Sequence, residues 1–281
     1  MRIRREKFAL CDFKFRDFVL HFPNRRFEKN AESSSVEDRE NRWISSRMTT
    51  AFVLVAVAVF LPFLTNAGRY LPAEPLELRL IGGILLTQGS LFLAAVLPFL
   101  FPPESWSRVP EQLGLRRMTG AQFLRMLKLS LPVFVGITLC SSLLTMLGKW
   151  FGESNPTQPL VELLIKAPFP VFLIIFCSAV LIAPVVEELA FRRVLYSGLR
   201  QWAPPMVCAV VVSLLFALVH AVIWQVPALF LLALVFQREY LRSGENTSCT
   251  IALHSMYNFL TIFCAFCLRL YYLNTGRIPE W

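Results

Sequence analysis

Long apolar runs follow one another along this chain, at about Ala51 to Leu64, Leu80 to Phe101, Leu127 to Leu147, Pro170 to Val186, Met206 to Val222, Ala228 to Phe236 and Ile251 to Leu268. Most approach the length a helix needs to cross roughly 30 Å of hydrocarbon, which predicts an all-α fold, a multi-span transmembrane helical bundle of about seven helices. The segment before Met48 differs: its charges are mixed, serines run from Ser33 to Ser35, and Phe13, Phe15 and Phe18 follow no strict period. Residues 1–47 are therefore expected to be a poorly ordered extension or the product of an early start codon, and residues 48–281 one polytopic membrane domain.

Composition agrees with that pattern. Of 281 residues, 56% are hydrophobic and 17% charged, against about a quarter charged in soluble domains. The net charge of +9 does not mark a nucleic-acid binder, because the basic residues lie between the apolar runs and form no single basic face. They cluster before the first run, at Arg108, Arg116, Arg117 and Arg125, at Arg192, Arg193 and Arg200, and at Arg238 and Arg242, all on one side of the predicted spans. By the positive-inside rule that side is cytoplasmic, with the N-terminus inside and the loop from Lys149 to Lys166 outside. The expected setting is an integral, multi-pass protein of a bacterial inner membrane, with lipid as its neighbour. Cys140, Cys177, Cys208, Cys264 and Cys267 lie within apolar runs, so neither a disulfide framework nor a zinc knuckle is indicated.

Against this apolar background a few polar residues stand out. Glu187 and Glu188 close the fourth run, where a lipid-facing charge is expensive. Glu188 and Arg192 are one helical turn apart in the acid-before-base order, which predicts a structural ion pair. Glu187 is left over. Of the three histidines, His220 follows Phe216 by one turn and His254 precedes Asn258 by one turn, each within an apolar run. Either histidine alone reads as a core residue bonded to a neighbouring carbonyl. Glu187 and His220, however, are equidistant from the break at Ala203-Pro204-Pro205, so an antiparallel hairpin brings them level. His254 reaches the same level if that hairpin protrudes beyond the bilayer.

These residue types can polarise a water and stabilise an oxyanion. Glu187 would be the general base, assisted by His220, while His254 and Asn258 would supply donors. Alternatively, Glu187, His220 and His254 could ligate a zinc ion that activates the water. There is no HExxH, and the ligands would come from separate helices, which favours chemistry without a metal.

The same residues resemble the CPBP intramembrane proteases, a family that includes CAAX prenyl endopeptidases and relatives associated with bacteriocin maturation and immunity. The Glu-Glu-x-x-x-Arg motif stands as Glu187, Glu188 and Arg192, Phe-x-x-x-His as Phe216 and His220, and His-x-x-x-Asn as His254 and Asn258, in family order, within about 168–263. The resemblance implies a helical membrane fold with a cavity open to the cytoplasm and a glutamate-activated water as nucleophile. Glu187 with His220 would activate that water, His254 and Asn258 would form the oxyanion site, and Glu188 with Arg192 would hold the arrangement. The substrate would be a membrane-associated or lipidated protein or peptide. The competing reading is non-catalytic: a transporter, scaffold or immunity protein that uses the same polar residues as a proton relay or helix lock.

Overall fold

The structure, a computed structural model, describes residues 35–65, 71, 75–101, 103–152, 159–220 and 222–277. Eight helices carry it: α1 (Ser35–Thr65), α2 (Leu76–Phe99), α3 (Gly120–Trp150), α4 (Pro159–Lys166), α5 (Phe169–Leu199), α6 (Pro205–Leu218), α7 (Val226–Arg242) and α8 (Thr247–Thr275). No strand occurs among the described residues, and the all-α membrane bundle is the fold. Each of the apolar runs lies at least partly in a helix. By length and composition α2, α3, α5 and α8 suffice to cross a membrane, while Ser45–Phe60 within α1 and α6 are shorter apolar helices. The expectation for 1–47 falls largely on residues 1–34, which lie outside those described.

Local chemistry sets the helix ends. Thr119 opens α3 with a capping box: its Oγ1 accepts from Gln122 N at 3.2 Å, and its own N–H donates to Gln122 Oε1 at 2.9 Å. Asn246 opens α8, its Oδ1 accepting from Ser248 N at 3.1 Å. Pro205 occupies the first turn of α6, where its missing N–H costs nothing. The predicted outer loop contains α4, whose last carbonyls, Leu164 and Ile165, are capped with that of Ala167 by Arg269 of α8. Such carbonyls have no partner within their own helix, and the guanidinium supplies it.

Helix α5 departs from the regular α pattern. Ser178–Ile182 and Glu188–Tyr196 are wound as π-helix, a form found mostly as short bulges and often at functional sites. Pro184 accounts for the first: a proline inside a helix removes one donor and clashes with the carbonyl four residues back.

Packing brings α1, α2, α5 and α6 into one core. Met48, Ala51 and Val55 of α1, Leu91, Ala94 and Ala95 of α2, Val186, Leu189 and Ala190 of α5, and Cys208, Ala209 and Val212 of α6 are buried together. The approach of α1 to α5 is close enough that a Cβ at Gly198 would lie 2.5 Å from the Phe52 ring. A second core joins α3, α6, α7 and α8 through Met126, Ala217, Phe236 and Leu253. Arg125 of α3 holds Glu239 of α7 in a bidentate pair at 2.7 and 2.9 Å.

The segment before α3 is pinned to the α7–α8 turn. Thr247 N donates to Gly114 O and Thr247 Oγ1 to Leu113 O, each at 2.9 Å. Gly114 has φ 69°, and a Cβ there would meet Thr247 Oγ1 at 2.6 Å. Only glycine meets both demands without strain.

Candidate active site

Where α5, α6, α7 and α8 meet, the charged and imidazole groups predicted from the apolar runs converge. Glu188 is sealed, at 0% exposure. Its Oε1 lies 3.2 Å from Arg192 NH1, an ion pair along one helix, and 2.9 Å from His254 Nδ1. Arg192 is also sealed. Its NH2 donates to Ala233 O of α7 at 3.4 Å, and its guanidinium lies over the rings of Phe216 and Phe236, 4.6 and 5.4 Å from their centroids. Removing one partner of such a buried pair would leave the other charge without compensation. The guanidinium thereby links α5, α6 and α7.

His254 stands between the two glutamates. Its Nδ1 faces the Glu188 carboxylate, so this nitrogen carries a proton and donates it. Its Nε2 lies 3.9 Å from Oε2 of Glu187. That is too long for a direct hydrogen bond and is a spacing one water can bridge. Phe236 packs on the ring at 4.8 Å and Phe216 meets it edge-on at 6.0 Å. The Glu187 side chain is 14% exposed, so the adjacent carboxylates differ in kind: Glu188 has no access to solvent and Glu187 has some.

Glu187 has a further partner that the reading of the motifs did not single out. Gln88 of α2 donates from Nε2 to Glu187 Oε1 at 3.0 Å. The signal for it was the same one that marked Glu187, a polar side chain within an apolar run, here Leu80 to Phe101. Phe236, packed on both Arg192 and His254, was missed as well, and a phenylalanine in an apolar run carries no such signal.

His220 lies beyond the last turn of α6. Its Nδ1 donates to Phe216 O at 2.7 Å; a carbonyl can only accept, so Nδ1 holds the proton and Nε2 of the neutral ring is an acceptor. The Phe-x-x-x-His spacing is thus a cap, with the imidazole satisfying a carbonyl at the helix C-terminus. The His220 ring also contacts Phe216 at 4.9 Å, so one phenyl ring touches both imidazoles. Among the described residues no hydrogen bond or ion pair joins His220 to Glu187.

Asn258, one turn beyond His254, donates from Nδ2 to Ala179 O at 2.7 Å. In the π segment Ala183 N bonds Ser178 O, five residues back. The next bond of that register would run from residue 184 to Ala179 O, and Pro184 has no N–H to give. Asn258 fills the vacancy, which leaves the other hydrogen of its amide for further use.

Glu187 and His254 face each other, but among the described residues no three His, Cys, Asp or Glu side chains are grouped to hold a metal ion. The set Glu187, His220 and His254 does not fit one as placed, with His220 turned to its own helix end.

Residues 169–260 match the family model described as type II CAAX prenyl endopeptidase Rce1-like. The match spans residues 169–260 of 281 and supports the CPBP/CAAX protease family for that segment. The match supports a CAAX-type intramembrane protease, and the matched segment contains Glu187, Glu188, Arg192, Phe216, His220, His254 and Asn258. Gln88 and Arg269 lie outside it. No curated protein and no solved structure matches the chain.

Proposed function

We propose that the chain is an intramembrane endopeptidase that hydrolyses a peptide bond of a membrane-associated, lipidated CAAX-like substrate through a water activated by Glu187. The observation that carries this reading is the 3.9 Å gap between Glu187 Oε2 and His254 Nε2. A water seated beside the two atoms can hydrogen-bond to both, Phe216 and Phe236 pack on the His254 ring, and the Glu187 carboxylate is the accessible one of the pair.

In this mechanism the water in the gap attacks the scissile carbonyl carbon while its proton passes to Glu187. The oxygen of the tetrahedral intermediate takes hydrogen bonds from His254 and from the second amide hydrogen of Asn258. As imidazolium, His254 would hold Glu188 with Nδ1–H and present Nε2–H to the developing charge. Two carboxylates, one guanidinium and one imidazolium then sum to zero, which suits a site in lipid. When the C–N bond breaks, Glu187 returns its proton to the leaving amine. His220, its Nδ1 tied to Phe216 O, offers Nε2 as an acceptor at the margin of the site. No step requires a metal.

The test is reconstitution of the full chain in liposomes with a prenylated peptide ending in a CAAX sequence, beside the same peptide anchored by a transmembrane segment instead of a prenyl group. Glu187→Gln is expected to lower kcat by about 10²- to 10⁴-fold, the usual contribution of a general base. Cleavage that survives Glu187→Gln overturns the mechanism. Equal cleavage of both peptides overturns the assignment to lipidated substrates.

A further inference from the structure

The carboxylate of Glu187 uses its oxygens differently. Oε2 looks toward His254 Nε2 at 3.9 Å, while Oε1 accepts from Gln88 Nε2 at 3.0 Å. Gln88 belongs to α2, outside the residues matched by the family model.

Its placement follows from packing. Gln88, Leu91 and Ala95 lie at successive helical spacings along α2. Leu91 and Ala95 are buried in the core that contains Val186, Leu189 and Ala190 of α5. The face of α2 that packs on α5 therefore ends, one turn earlier, in an amide pointed at Glu187. Gln88 also sits in a π-helical segment, Leu85–Gly89, whose extra residue changes the direction of the side chains it carries. Thr87 and Ser90 turn their hydroxyls back to Gly83 O and Leu86 O, so Gln88 is the one of these three whose side chain bonds outside its helix.

An ionised carboxylate only accepts, so the amide nitrogen must be the end facing Glu187, and the orientation of the amide is fixed. Its other end, Oε1, is then buried without a hydrogen-bond partner among the described residues. A buried acceptor in that condition is costly unless something donates to it, and a water at Glu187 has a second O–H to give.

We infer that Gln88 is a positioning residue for the general base: its Nε2–H locks the Glu187 carboxylate with Oε2 toward the reacting water, and its Oε1 accepts a hydrogen bond from the O–H that the water keeps. The inference rests on the proposed role of Glu187. It extends the site to α2, so the family-matched segment is incomplete without that helix. The water is held from both sides, and its lone pair is directed at the substrate carbon.

The experiment compares wild type, Gln88→Met and Gln88→Glu in liposomes with the prenylated CAAX peptide, measuring kcat, KM and the unfolding temperature. Met keeps the length and removes both polar atoms, while Glu keeps the shape and replaces the donor by a second carboxylate. Loss of a hydrogen bond to a charged group predicts a fall in kcat of about 10- to 100-fold for both variants. KM is expected to stay within about two-fold, as for an interaction that acts on the transition state alone. In a Glu187→Gln background, Gln88→Met is expected to add no further loss, because residues acting as one unit are not additive. Wild-type kcat in either variant overturns the inference, as does a rise in KM with kcat unchanged, which would assign Gln88 to substrate binding. A loss of kcat that tracks a lowered unfolding temperature in both variants would make Gln88 a structural residue and also overturn it. Glu187→Gln with wild-type activity would overturn the role of the base itself, a different failure. Absence of cleavage by wild type overturns the proposed function and this inference with it.

Discussion

His254 donates from Nδ1 to Oε1 of Glu188 at 2.9 Å, and neither group has appreciable access to solvent. Glu188 also balances Arg192, so its structural and orienting duties can be separated. Glu188→Ala leaves a buried guanidinium alone and is expected to cost about 3–5 kcal/mol. The double variant Glu188→Leu with Arg192→Met removes both charges, and buried pairs replaced by apolar residues are often neutral in stability. Its unfolding temperature in detergent is expected near that of wild type, with kcat lower by about 10²-fold or more, because His254 has lost the acceptor that sets its proton. An active double variant would show that His254 needs no such acceptor.

Asn258 and Pro184 are coupled through one carbonyl. Asn258→Ala leaves Ala179 O without its donor, with an expected cost of about 1–3 kcal/mol. Pro184→Ala restores a backbone N–H at the position that would bond Ala179 O in the π register. A double-mutant cycle followed by thermal unfolding should therefore show Asn258→Ala costing less in the Pro184→Ala background, by about 1 kcal/mol. Strict additivity would mean that the carbonyl finds another donor.

Arg269 carries the end of α4. With Arg269→Met the carbonyls of Leu164, Ile165 and Ala167 lose their shared donor and the contact with the Phe172 ring at 5.8 Å disappears. Hydrogen exchange should rise in α4 while protection around Glu188 and His254 is kept, since His254, which holds Glu188 of α5, lies on the first half of α8 and Arg269 on the second. Faster exchange throughout α8 would show that the two halves are one cooperative unit.

Metal removal should be silent. Treatment of the reconstituted protein with 1,10-phenanthroline or EDTA is expected to leave the rate of peptide cleavage unchanged, because in the proposed cycle Glu187 alone takes up and returns the proton. Inhibition reversed by added zinc would transfer the nucleophile to a metal-bound water.

The residues of the site were legible where their cost was legible. Glu187, Glu188, His220 and His254 stand out because a charge or an imidazole within an apolar run must have a partner. The Glu188–Arg192 contact could be read from helical spacing alone. Gln88 gave the same kind of signal more weakly, since an uncharged amide is cheaper to bury and no partner stands at helical spacing from it. The π segments were not legible, because hydrogen-bond register has no residue code, and Pro184 hints at a break without giving its form. The apolar run ending at Val222 also overstated α6, which stops at Leu218. Hydrophobicity records what is buried or lipid-facing, and the turn that carries His220 is as apolar as the helix before it.

The pairing of Glu188 with Arg192 inside one helix bears on biogenesis. His254, which completes the surroundings of Glu188, belongs to α8, and the ribosome makes α8 well after α5. A nascent α5 thus brings the Glu188 carboxylate into the membrane with its neutralising cation already one turn away, before His254 is made.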